Sequence, residues 1–238
     1  MKSNKDDLLK RGFLSKGKEL DHLNEPFKKK IKLLKSKVAV ERTLGARLLK
    51  QTKKEETVEY LLDALKVEQK LYPKIEICNI LVEFGELSID GLIKLMGEIG
   101  KNQHKKIPEK EFKKDSYPLP RDIASRTIIR IGEKAIPKLL DNLETTNRNQ
   151  LSEMIDAIGH IGFNYEVKHI YQPLKMCYDQ HENDELLKWK ILRAMSGIIA
   201  SKSFLQKEYS ILKNEWLKKE INRSLRLIEK RKNIINHH

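Results

Sequence analysis

Asp156 and His160 stand one helical turn apart, the spacing at which a carboxylate orients an imidazole for general-base work. A transferase or hydrolase built on that pair needs a nucleophile or second carboxylate within reach, and no Ser or Cys nucleophile motif accompanies it. The seven histidines show no HExxH or other ligand spacing, and the closing pair His237 and His238 reads as an expression remnant. Asp179, His181, Glu182, Asp184 and Glu185 read as loop and N-cap chemistry. Cys78 and Cys177 lie far apart among apolar neighbours and read as buried thiols. The residues therefore point away from an enzyme, and no metal or cofactor is expected.

Binding chemistry is better represented. Trp189 falls on the helix side opposite Leu187, Ile191, Ala194 and Ile198, one turn before Arg193. An aromatic beside a guanidinium on an open groove is the composition of a binding hot spot. Arg126, Arg130 and Arg193 flank the same expected face and suit bidentate bonds to an acidic partner. Phe112 and Tyr117 fall in a segment without helical pattern, where they either dock a partner or pin the segment down. Lys74, Arg121 and Lys188 recur at one register, as a ligand ladder or as bonds between neighbouring repeats.

The net charge of +14 raises nucleic acid as a partner, so its distribution matters. Residues 1–37 carry +7, 101–118 carry +3 and 199–238 carry +6, which leaves the remaining body at −2. A solenoid cradling phosphates should line its inner helices with cations. The inner register instead reads Asn79, Arg126, Asp156, Arg193, and the next reads Glu83, Arg130, His160, Gly197. The candidates for phosphate contact are at the ends: Lys28, Lys29 and Lys30, then Lys218, Lys219, Arg223, Arg226 and Lys230. Solvated, Lys-rich capping helices are the competing account.

The elements that position these residues are helices. Gly and Pro are few, at 11 and 7, and strand-like alternation is nearly absent. A phrase recurs, Phe84-Gly85-Glu86, Ile131-Gly132-Glu133, Ile161-Gly162-Phe163, each closing an amphipathic stretch. The pattern predicts outer helices near 27–36, 56–68, 88–100, 134–145, 167–180 and 202–215. Inner partners are predicted near 38–51, 71–85, 119–132, 148–162, 183–199 and 217–231. Pro73 and Pro120 are placed to open inner helices, Pro137 an outer one, and the glycines to close them. One break interrupts the rhythm, an insert over 101–119, long enough to be either functional or disordered. No apolar run approaches a membrane span, and Met1 to Phe27 lacks a signal-peptide core, so a cytoplasmic location is expected.

Ala135-Ile136-Pro137-Lys138-Leu139-Leu140-Asp141-Asn142-Leu143, followed by Ile155-Asp156-Ala157-Ile158-Gly159-His160-Ile161-Gly162, resembles the bacterial HEAT repeat of the subtype noted in phycobilin lyases. The likeness is clear over 56–200, weaker over 27–51, and gives way to basic capping helices over 201–238. It implies an all-α fold, a right-handed α–α superhelix of five to six helix pairs forming a single solenoid over 1–238. It also implies a non-enzymatic scaffold or adaptor whose concave face binds another protein, with nucleic acid bound by the basic ends as the alternative. The HEAT-like alkylpurine DNA glycosylases have similar length and set an Asp and aromatics in a basic cleft. This chain offers Trp189 and Trp216 without that motif context or a basic inner stripe. Lyase activity rests on repeat type alone.

Overall fold

Four helices in the C-terminal part of the chain begin in the same way, with a short amide or acid side chain folded over the first free N–H groups. Asp122 accepts from Ser125 N at 2.9 Å, and Asn147 from Asn149 N and Gln150 N at 3.1 Å. Asp184 accepts from Leu187 N at 3.0 Å, and Asn214 from Trp216 N at 2.9 Å. Such caps satisfy donors that a helix cannot satisfy itself. They set the starts of α7 (Ile123–Ile131), α9 (Arg148–Asn164), α11 (Glu185–Ala194) and α13 (Glu215–Ile235). Between them lie the shorter α8 (Ile136–Asp141), α10 (Tyr171–Gln180) and α12 (Lys202–Ile211). Earlier in the chain come α1 (Lys5–Lys10), α2 (Phe27–Leu34), α3 (Ala39–Leu49), α4 (Glu55–Val67), α5 (Leu71–Phe84) and α6 (Ile89–Leu95).

The computed structural model describes residues 4–165, 167 and 169–235. It is all-helical, with no strand among the described residues. The chain groups into two compact units that divide between Leu95 and Met96. In the first unit α2 packs on α3, α3 on α5, and α4 on both α5 and α6. Leu34, Leu48, Leu61, Leu65, Ile77 and Leu81 make its core, each at most 1% exposed. Residues ahead of α2, for which the helical pattern gave no element, lie along α3. Thr43 donates to Gly12 O at 2.7 Å, Arg47 donates to Leu14 O at 2.9 Å, and Phe13 meets the Tyr72 ring edge-on.

In the second unit α7 packs on α9, α9 on α11 and α11 on α13, forming a row, while α8, α10 and α12 pack against α9, α11 and α13 in turn. The apolar register of that row (Leu151, Met154, Ile155, Ile158 on α9; Leu187, Ile191, Ala194 on α11) is buried, as the periodicity predicted.

Helix ends follow the punctuation closely. Gly85 and Gly132 close α5 and α7 at φ +63° and +81°, where a side chain would strain the backbone. Pro137 sits in the first turn of α8, where no N–H is needed. Two expectations are corrected. Pro120 does not open α7, because the Asp122 cap fixes the start at Ile123. Gly162 does not close its helix, since α9 runs on to Asn164. Both cysteines are free, buried thiols.

Asp184 tests the shared capping scheme. Asp184→Ala removes the cap of α11 together with an exposed ion pair to Arg148, and should cost about 1–2 kcal/mol in urea unfolding. A loss under a few tenths would mean that the cap does not hold α11.

Candidate interaction site

Lys190 lies on the apolar side of α11 and is fully buried. A buried ammonium needs an acceptor for each of its three protons. Its Nζ reaches Glu153 Oε1 at 2.8 Å, Asp156 Oδ2 at 2.8 Å and Ser152 O at 3.1 Å, all on α9. Two carboxylates facing one ammonium leave an excess of negative charge. Burial pushes the Glu153 carboxyl up, Lys190 opposes that rise, and neighbouring Asp156 adds to it.

The insert covers this row of helices. Gln103 donates to Asp122 at 2.9 Å, and His104 meets the Trp189 ring edge-on, centroids 5.5 Å apart. Burial lowers the His104 pKa to about 4, so the imidazole is neutral near pH 7. At the other end Tyr117 is buried against Gly159, where a Cβ would stand 2.2 Å from its hydroxyl oxygen. Between these anchors the insert meets α13. Arg223 donates to Ser116 O at 2.7 Å and lies over the Phe112 ring at 5.2 Å. Glu111 pairs with Lys219 at 3.1 Å, and Asp115 with Arg226 at 3.4 Å and with Lys230. Lys230 holds the Asp115 carboxyl below its ordinary range.

This cover overturns the exposed-groove reading of several residues. Trp189 and Arg193 are each 4% exposed and Asp156 is buried, because the insert fills the side of the row that the helix pattern leaves apparently open. Arg193 stacks 3.6 Å from the Trp189 ring centroid, so the two are adjacent as predicted, but its guanidinium pairs with Glu220 at 3.1 Å. Tyr117 is an anchor, and Phe112 is half-buried under Arg223. Arg126 is exposed and donates to Pro120 O at 2.6 Å, while Arg130 is exposed one turn further along α7. Asp156 turns to Lys190, and His160 lies edge-on to Tyr117 at 6.0 Å, so the two do not form a dyad.

The expected phosphate contacts divide. Lys28 and Lys29 are exposed, Lys29 pairing with Glu25, whereas Lys30 is buried at 7% exposure. On α13 Arg223 is buried between Glu220 and the insert, and Lys218 pairs with Glu215 at 3.4 Å. Of the recurring register, Lys74 is half-buried, Arg121 exposed, and Lys188 lies over the Tyr178 ring.

Several openings flank the insert, two of them beside the residues above. One, of about 270 Å³, is lined by Phe112, Trp189, Trp216, Lys110, Lys219 and Arg226 among others. The other, of about 460 Å³, is bounded by His104, Leu119, Arg121, Arg126, Asp156 and Arg193. Sequence reasoning missed Lys190, Glu153 and His104. Lys190 and Glu153 carried a signal, opposite charges at core registers of adjacent inner helices. His104 carried none, since its burial comes from a segment distant in sequence.

No family model matches this chain, and no curated protein matches it. Among solved structures it is similar to an engineered protein, a Northeast Structural Genomics Consortium target whose crystal structure is known, at 15% identity and a TM-score of 0.35. The match covers 84% of this chain and 57% of that one, so the chain spans less than two thirds of that protein's length.

Lys190→Met should cost about 3–5 kcal/mol by leaving two buried carboxylates uncompensated. Adding Glu153→Leu and Asp156→Asn should recover most of that loss in urea unfolding, and an undiminished loss in the triple variant would rule out the charge account.

The His104 and Glu153 shifts act in opposite directions with pH. His104 in the folded chain takes up its proton only near pH 4 against an ordinary 6.5, so stability is lost as pH falls through that window. Glu153 is raised above its ordinary 4.5, so stability is gained as pH falls towards that value. His104→Gln should therefore lose less stability than the parent protein between pH 6.5 and 4.5. Parallel urea midpoints across that range would show that His104 is not held neutral by burial.

Proposed function

We propose that the protein is a cytoplasmic, non-enzymatic scaffold or adaptor that binds another protein on the insert-bearing face of its second unit. Each unit, on this reading, is a stretch of HEAT-like solenoid, a right-handed α–α superhelix. The row α7, α9, α11, α13, with α8, α10 and α12 packed beside it, supports that repeat architecture. Two free, buried thiols agree with a reducing compartment.

The observation that carries the proposal is the 270 Å³ groove, where Phe112 and the 37%-exposed Trp216 stand beside Lys110, Lys219 and Arg226. Aromatic and cationic side chains at the centre of a depression are the groups that dominate protein interfaces. The alternative, nucleic-acid binding through the basic ends, is weakened by the burial of Lys30 and Arg223, two of the cations it would use.

Affinity capture with the purified protein as bait, with and without nuclease, checks the proposal. One protein should be retained through nuclease treatment, and Trp216→Ala should weaken its binding at least about tenfold. Retention abolished by nuclease and indifferent to Trp216→Ala would favour the nucleic-acid alternative.

A further inference from the structure

The insert is held unevenly. Its ends are fixed by the half-buried His104 and Gln103 on one side and the buried Tyr117 on the other. Its middle is held by Arg223, which donates to the carbonyls of Ser116 and Lys114, and by pairs whose side chains are about half exposed, Lys219 with Glu111 and both Arg226 and Lys230 with Asp115. Exposed ion pairs contribute little each, because water and salt compete for both partners. The middle is therefore the part that can leave while the ends stay.

It is also a poor electrostatic match for the surface beneath it. Residues 101–118 carry six lysines against Glu109, Glu111 and Asp115, a net +3. They lie on a face of α13 that presents Lys219, Arg223, Arg226 and Lys230 at helical spacings of three to four residues. Glu111, Asp115, the Phe112 ring and the carbonyls of Lys114 and Ser116 answer that face, and the lysines between them add repulsion.

We propose that this face of α13 is the docking surface for an acidic, aromatic-bearing segment of a partner protein, which takes the place of Glu109–Ser116. The proposal rests on the reading of the chain as a protein-binding module and adds the chemistry of the bound segment. The insert supplies the template for that chemistry: a carboxylate for Lys219, a ring under Arg223, and a second carboxylate four residues after the first for Arg226 and Lys230. A segment that keeps these groups without the lysines satisfies the same cations with less repulsion. Trp216, beside Lys219 and partly exposed, extends the apolar part of the surface.

The probe is a fluorescent octapeptide with the sequence of Glu109–Ser116 carrying Lys110→Gln, Lys113→Gln and Lys114→Gln, titrated into the full chain by anisotropy. It should bind saturably. Glu111→Gln with Asp115→Asn in the protein, which loosens the insert, should raise affinity about three- to tenfold. Arg226→Glu with Lys230→Glu should weaken it by at least as much, with circular dichroism confirming that the helices persist. Peptide binding should also speed tryptic cleavage after Lys113 and Lys114, since the displaced segment becomes accessible.

No saturable binding, or binding unchanged in both double variants, would overturn the proposal. So would binding that leaves the tryptic rate unaltered, because the insert would then not be displaced. An oligothymidylate that binds as tightly and loses affinity in the same variant would identify a nucleic-acid surface instead. If the peptide fails while nuclease-resistant capture remains sensitive to Trp216→Ala, the chemistry assigned to the segment is wrong and the protein-binding reading stands. If both fail, that reading falls as well.

Discussion

An ammonium taken out of water must find an acceptor for every proton it carries, and Lys190 finds all three on the neighbouring helix. That requirement fixes the register of α11 against α9, since a slip of one residue would leave charges of both signs unpartnered in the core. It also shapes what lies above. The group placed against the adjacent Trp189 is an imidazole that burial keeps neutral, with the cations Arg121, Lys190 and Arg193 adding to that effect and Asp156 opposing it. Arg193, stacked on the same tryptophan, meets Glu220 of α13. The charged chain thus runs from α9 through α11 to α13 and ends where Arg223 grips the insert.

The helical architecture was legible because the signals that specify it are local. Apolar spacing, Pro137 and the closing glycines at 85 and 132 act within a few residues of themselves, and the observed helices fall where those signals put them. The recurring Asx caps at 122, 147, 184 and 214 were equally local, but only the polar run around Asp184 was read as a cap. Residues 4–26 gave no periodic signal, since their order comes from hydrogen bonds to α3.

The site was legible in composition but not in exposure. Trp189 beside Arg193, and Phe112 and Tyr117 in the insert, are all part of the arrangement that was found. Helical geometry assigns a side of a helix, and cannot show that a segment about 70 to 85 residues away in sequence lies on it. Lys190 and Glu153 departed from local rules, charges where α11 and α9 should be apolar, but they meet each other and not the insert. Such violations of pattern mark places where tertiary contacts override propensity.

The insert is fixed at both ends, so its middle behaves as a ligand that never diffuses away. A short segment tethered in this way faces its own groove at an effective concentration on the order of millimolar. Any molecule seeking the same cations from solution competes against that standing concentration, whatever the amount of protein present. Occupancy by weak or scarce competitors is suppressed, because the insert raises the apparent dissociation constant of any free ligand by a constant factor that its length and charge determine.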